Sequence, residues 1–241
     1  MIIGISGKKQ HSKDTVANII QCLTAEYSDE EIIDILTKKH EVPDYHLLPF
    51  SDETTWEKRQ FAYKLKKIVC ELIGCTMEQL EDAEFKETPL GHEWDKEVPY
   101  PPPTRGFKIE SLTPRKLLQL IGTECGRQII HPNIWINATF ADYKPKPREL
   151  GLADRSSDYP DWIITDVRFP NEAEAIKKRD GIIIRVNRPG MPEGDNHPSE
   201  TSLDDYKGFD WVFSNNSNLK DLILKTKTIL DHYGINYRRS N

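Results

Sequence analysis

A chain of 241 residues with 37% hydrophobic and 30% charged side chains can bury a sizeable core, as one large domain or as one domain carrying an insertion. Its net charge of -6 argues against non-specific nucleic-acid binding, which feeds on a basic surface, so any phosphate recognition must be local. With no run of about 18 apolar residues and no charged-then-apolar leader, neither a membrane span nor a signal peptide is expected, and the cytoplasm is the expected location.

Ile2, Ile3 and Ile5 predict a short buried strand. After the stretch from Gly7 to Thr15, Val16, Ala17, Ile19, Ile20 and Leu23 recur at helical spacing. Strand, glycine turn, lysine and helix form the setting of a phosphate-cradling loop, G-x-x-x-x-G-K-S/T. In that motif backbone N–H groups wrap the phosphates, the lysine reaches the β/γ oxygens and the hydroxyl holds magnesium. Gly7 and Lys13 fall at the required spacing, but Ser12 replaces the second glycine, Asp14 replaces the hydroxyl residue, and Thr15 supplies a hydroxyl one place late. The competing reading is an ordinary strand–turn–helix connection with Lys13 solvated on an exposed loop.

Ser28 to His46 reads as an amphipathic surface helix followed by a loop at Pro43, and Leu47 to Phe50 as a short edge strand. From Trp56 to Ile73 the apolar residues recur at helical spacing, with Gly74 as the C-terminal cap. Glu84 to Glu110, with five prolines and few core residues, reads as a long connection. Thr113 and Pro114 predict a helix start, Leu117, Leu118 and Ile121 its buried face, and Gly122-Thr123-Glu124 a break or kink. Ile129, Ile130, Ile134, Trp135, Ile136 and Phe140 continue the apolar supply, and Lys144 to Asp158 reads as exposed. Cys22, Cys70, Cys75 and Cys125 form no C-x-x-C pair and read as reduced core residues.

Trp162 to Thr165 predicts a buried strand ending in Asp166-Val167-Arg168, followed by a helix from Pro170 to Lys178. Gly181 to Val186 and Trp211 to Phe213 predict two more strands, and Leu219 to Tyr233 a final helix. Strands alternating with helices point to an α/β fold with a parallel sheet covered on both faces. Ligands of such sheets bind beyond the carboxyl ends of the strands, where Gly7 to Lys13, Asp166, Arg168 and Asn215 all fall. Asp166 there can anchor magnesium or orient an attacking oxygen, or it can be a carboxylate serving the next helix; Arg168 can fork onto a phosphate or pair with Glu172. Asp14 likewise reads either as a metal-holding acid or as a helix N-terminal acid favouring the dipole. His197 reads as a turn residue, and no Ser/His/Asp or Cys/His arrangement supports covalent hydrolysis.

Taken together, Ser6-Gly7 through Thr15, Phe61-Ala62 with Leu65-Lys66, Arg115 through Leu120 with Gly122-Thr123, Trp135, Asp166 and Arg168 with Glu172, Arg188-Pro189-Gly190, His197 with Glu200, and Asn215 resemble a known family. These residues are similar to the deoxynucleoside monophosphate kinases of tailed bacteriophages, within the P-loop kinases. The resemblance implies a three-layer parallel sheet of P-loop kinase type over residues 1–241, with a helical insertion at about 55–145 forming the acceptor-nucleotide region. It implies ATP as phosphoryl donor, Mg²⁺, and a deoxynucleoside monophosphate as acceptor. By the same likeness Lys9, Ser12, Lys13, Asp14 and Thr15, together with Gly7 and Asn215, would face ATP, with Asp14 and Thr15 toward the metal. Leu65, Lys66, Lys86, Arg115, Gly122, Thr123, Trp135, Asp166, Arg168 and Glu172 would surround the acceptor, and Lys13, Asp166 and Arg168 would carry the transfer. Monomer and homodimer are both left open. The rivals are another small-molecule P-loop kinase, such as a dephospho-coenzyme A kinase, and a non-catalytic ATP-binding protein.

Overall fold

The computed structural model describes residues 1–8, 11–38, 56–145, 159–190, 198–215 and 218–237. The expected edge strand at Leu47 to Phe50, the loop at Pro43, most of the stretch from Lys144 to Asp158, and Lys9 and His197 lie outside the described residues. The chain divides into two compact units, residues 1–60 with 141–241 and residues 61–140, and the second lies within the segment read as an insertion.

The first unit is built on a five-stranded parallel sheet in the order β2-β5-β1-β6-β7, with β1 Ile2–Ser6, β2 Trp56–Arg59, β5 Asp161–Val167, β6 Ile182–Asn187 and β7 Trp211–Ser214. Each interior strand is an apolar run because both faces are covered. Ile3, Ile5, Ile163, Ile182, Ile184 and Val186 pack against helices α1 (Lys13–Thr24), α2 (Asp29–Thr37) and α10 (Leu219–His232). On the opposite face lies α8 (Pro170–Lys177), where a side chain on Gly4 would collide with Ile176 and Ile183 at 2.7 Å. The result is the three-layer arrangement of a P-loop kinase type fold.

Trp56 to Arg59 is strand, not the start of the next helix. Only Trp56 of this edge strand is buried, so its four residues carry too little apolar pattern to declare themselves. Two polar side chains on α1 hold it: Gln21 Nε2 donates to the Trp56 carbonyl at 2.8 Å, and Lys58 Nζ to Asn18 Oδ1 at 2.8 Å.

The second unit holds α3 (Tyr63–Ile73), α4 (Met77–Glu81), α5 (Ala83–Glu87), a hairpin of β3 (Lys96–Pro99) and β4 (Phe107–Glu110), α6 (Pro114–Gln119) and α7 (Ile134–Phe140). Gly74 ends α3 in the left-handed region at φ 68°, as its sequence position foretold, and Thr113 caps α6 with Pro114 at the first helical position. Glu84 to Glu110 is therefore not a bare connection. It carries a short helix and an antiparallel hairpin, concealed because both strands expose nearly every side chain. At Gly122, Thr123 and Glu124, where a break or kink was expected, the chain stays helical but in another form: α6 passes into a wider π-helical segment, Leu120–Ile130. Ile129 and Ile130 are exposed at its end rather than adding to the core, and Cys125 is exposed too, whereas Cys22 and Cys70 are buried. No helix among the described residues is long and apolar enough to cross a membrane.

Candidate functional site

The carboxyl edge of the sheet in the first unit gathers the loop after β1, the end of β5, the end of β6 and the residue after β7. Gly7 follows β1 where the loop backbone runs close to β6: a Cβ there would lie 2.6 Å from the Val186 carbonyl oxygen. Ser12 explains its own departure from the motif. Its backbone is left-handed, φ 65° and ψ 27°, the region that makes glycine the usual choice and that costs an L-residue roughly 1–2 kcal/mol. Its hydroxyl makes no cap on α1. Instead Asn215 Nδ2 donates to Ser12 Oγ at 2.9 Å, joining the loop to the end of β7. The N-terminus of a twelve-residue helix thus lacks a side-chain cap, and its N–H groups favour an anion.

Lys13 is not solvated on an exposed loop. It is the first residue of α1, buried, with Nζ donating to the carbonyls of Gly7 and Lys8 at 2.7 Å each. Burial lowers its pKa to about 8, and the Arg168 charge pushes the same way, while Asp14, Glu200 and Asp166 pull it back up. Those influences place Lys13, Arg168, Asp14 and Asp166 in one electrostatic neighbourhood. Asp14 is exposed in the first turn of α1, Thr15 and Asp166 are half-buried, and Asp166 is the penultimate residue of β5.

Arg168 meets two carboxylates. Its guanidinium meets the Glu200 carboxylate, on α9 (Pro198–Thr201), while its backbone N–H donates to Glu172 Oε2 at 2.7 Å. Phe169 N–H donates to the same oxygen at 3.0 Å, so the buried Glu172 serves the entry to α8.

In the second unit Leu65, Gly122 and Trp135 come together. The indole Nε1 donates to the Gly122 carbonyl at 2.8 Å, and a Cβ on Gly122 would stand 2.8 Å from Leu65 Cδ2. Lys66 and Lys86 share Glu81, at 2.5 and 3.7 Å, and Arg115 pairs with Glu87 next to Lys86. Thr123 lies half-buried on the π-helical segment one residue beyond Gly122.

Several residues at the loop escaped sequence reasoning. Arg185 is buried in β6 beside Ser6, the last residue of β1, with guanidinium bonds to Ser6 Oγ at 3.0 Å, Asp204 Oδ1 at 3.2 Å and Asn187 Oδ1 at 3.3 Å. A lone arginine inside an isoleucine run was the available signal. His11 Nδ1 lies 3.3 Å from both the Val186 carbonyl and the Arg188 N–H. Burial, and then the charges of Lys13, Arg185 and Lys8, lower the pKa of its imidazole against the raising effect of the Val186 carbonyl. Asp204 and Lys8 had no signal beyond being charged.

Magnesium fits the donor set. That ion keeps several waters and is held by one or two protein oxygens plus phosphates, and Asp14, Thr15 and Asp166 offer such oxygens near Lys13. No group of three or more His, Cys, Asp or Glu among the described residues forms a ready-made cage.

Comparison with known proteins gives one consistent result. A family model described as deoxynucleotide monophosphate kinase matches residues 106–226. A protein of Acanthamoeba polyphaga mimivirus assigned as a deoxynucleotide monophosphate kinase is 31% identical over 184 residues, spanning 75% of this chain and 86% of that protein. The deoxynucleoside-5'-monophosphate kinase of Escherichia phage T5 is 34% identical over 99 residues, 38% of this chain and 35% of its own length. The deoxynucleotide monophosphate kinase of Escherichia phage RB69 is 27% identical over 116 residues, 48% of this chain and 44% of its own.

Proposed function

The chain belongs to the deoxynucleotide monophosphate kinase family, and on that premise we propose that it transfers the γ-phosphoryl group of ATP, with Mg²⁺, to a deoxynucleoside monophosphate, giving ADP and the diphosphate. The observation that carries the reading is the shared edge of Gly7, Ser12, Lys13, Asp166 and Arg168, with Asn215 bonded to the loop itself. The attacking atom is already an ionised phosphate oxygen, so the protein needs no strong base. Its work is to hold two polyanions and offset their repulsion.

Gly7 lets the loop backbone come close, and the uncapped N-terminus of α1 faces the donor phosphates. Lys13 gives up the Gly7 and Lys8 carbonyls for phosphate oxygens. The negative charge it meets there restores a pKa that burial had lowered. Asp14 and Thr15, with Asp166, would hold Mg²⁺, which when bound supplies charge neutralisation between donor oxygens. Arg168 turns a guanidinium toward the transferred group. Lys9 is assigned to ATP by likeness alone. Leu65, Gly122, Thr123 and Trp135 would shape the acceptor's base and sugar site, and Lys66, Lys86 and Arg115 would meet its phosphate. Glu172 supports Arg168 through the backbone. The reading places the reaction in the cytoplasm, among its nucleotide substrates.

The test is a coupled assay of ADP release with ATP and a panel of deoxy- and ribonucleoside monophosphates. Release that depends on a deoxynucleotide supports the reading. Release driven by dephospho-coenzyme A alone, or by no acceptor, refutes it.

A further inference from the structure

Lys8 and Arg185 reach one carboxylate from opposite sides. Asp204, in the turn after α9, places Oδ1 3.2 Å from Arg185 Nη2 and Oδ2 3.1 Å from Lys8 Nζ. Arg185 is a fixed anchor, buried and tied as well to Ser6 and Asn187. Lys8 is the second residue of the loop, and its carbonyl is one of the two that receive the Lys13 ammonium. A chain of contacts therefore runs from the buried strand β6 through Asp204 and Lys8 to Lys13.

We propose that Asp204 is a positioning residue of the phosphate loop, holding Lys8 in place through Arg185 so that the turn at Gly7 and Lys8 keeps its shape when Lys13 turns to the triphosphate. This deepens the kinase reading and rests on it. The turn has an internal clasp, the two 2.7 Å bonds from Lys13 Nζ to the Gly7 and Lys8 carbonyls. Binding a triphosphate takes the ammonium away from those carbonyls. Among the described residues, two contacts then still hold Lys8: the weak backbone bond from His11 N–H to its carbonyl, 3.3 Å, and the Asp204 carboxylate on its side chain. The sign of the effect separates positioning from simple charge: taking an anion away from a polyanion's site should tighten binding by Coulomb attraction alone, whereas loss of a positioning group weakens it.

The experiment is a calorimetric titration of Mg-ATP into the full chain, with KM for ATP and kcat measured alongside. Asp204→Asn and Lys8→Gln should each weaken ATP binding about three- to fivefold, the scale of a half-exposed ion pair. KM for ATP should rise in proportion while kcat stays near wild type. The double variant should bind no worse than either single one, because both remove the same link, and Asp204→Glu should recover most of the affinity. Tighter or unchanged binding in Asp204→Asn overturns the proposal, and so do additive losses in the double variant, which would make Lys8 a direct phosphate ligand. If Asp204→Asn fails to fold because Arg185 is left unpaired, Lys8→Gln and Asp204→Glu decide: unchanged affinity in the first, or no recovery in the second relative to the first, overturns it. A wild-type chain that takes up no Mg-ATP refutes the loop assignment itself, a result distinct from variants that bind like a competent wild type.

Discussion

Lys13 is buried at the start of α1 with its ammonium on two backbone carbonyls, and that burial decides what a substitution does. Lys13→Met removes a charge that burial disfavours along with two carbonyl bonds, so the protein should stay folded with a melting temperature within a few degrees of wild type, while turnover drops ~10²-fold or more for want of a transition-state cation. Circular dichroism and the coupled assay check both halves, and near-wild-type turnover would remove Lys13 from the site. His11 gives a pH dependence. Burial holds its folded pKa below 6.5 while the unfolded chain titrates near 6.5, so the unfolded state binds more protons in that window. Stability is therefore present above 6.5 and lost as pH falls through the lower folded value. Melting temperatures of wild type and His11→Gln between pH 7.5 and about pH 5 should show the steeper acid loss in wild type. Parallel curves would mean that His11 does not carry the slope.

Elements were legible where their period was strong. The isoleucine-rich strands, α1, α8 and α10 stand close to their expected positions because burial on both sheet faces writes an unbroken apolar run and a helix against it writes a 3.6-residue stripe. The β3–β4 hairpin and β2 were missed because short, exposed or edge strands bury too little to leave a pattern. At Gly122 the sequence offered a break or a kink; the chain there has passed from α- to π-helical winding, with the Gly122 carbonyl accepting from the Trp135 indole. Trp135→Phe should leave that buried carbonyl without its donor and lower stability by ~1–3 kcal/mol, read as a lower denaturant midpoint. An unchanged midpoint would show that water replaces the indole. Arg115, at the first turn of α6, is proposed to meet the acceptor phosphate. Arg115→Ala should raise KM for the deoxynucleotide by the equivalent of ~1.5–3 kcal/mol and leave KM for ATP nearly unchanged. Equal weakening of both substrates would take Arg115 out of the acceptor group.

For the whole molecule, the order β2-β5-β1-β6-β7 brings the end of β1 between those of β5 and β6, and this is why Gly7, Asp166 and Arg185, far apart in sequence, share one edge. The alternation of strands and helices made the first two members of that edge readable, since the carboxyl ends of parallel strands are where loops of this kind must lie. The electrostatic pairing was not readable. Which acid meets which base, Glu200 with Arg168 or Asp204 with Lys8 and Arg185, depends on how the residues after β6 return across the strand ends, and no periodicity encodes that path. The net charge of -6 fits a protein that concentrates its phosphate-binding cations locally rather than over its surface. The proposed transfer of a phosphoryl group from ATP to a deoxynucleoside monophosphate is tested by incubation with ATP labelled at the γ-phosphate, Mg²⁺ and each deoxynucleoside monophosphate in turn, followed by chromatographic identification of the labelled product. Label should appear in a deoxynucleoside diphosphate and be absent from it with Lys13→Met; label released only as inorganic phosphate, or retained wholly in ATP with every acceptor, would refute the transfer.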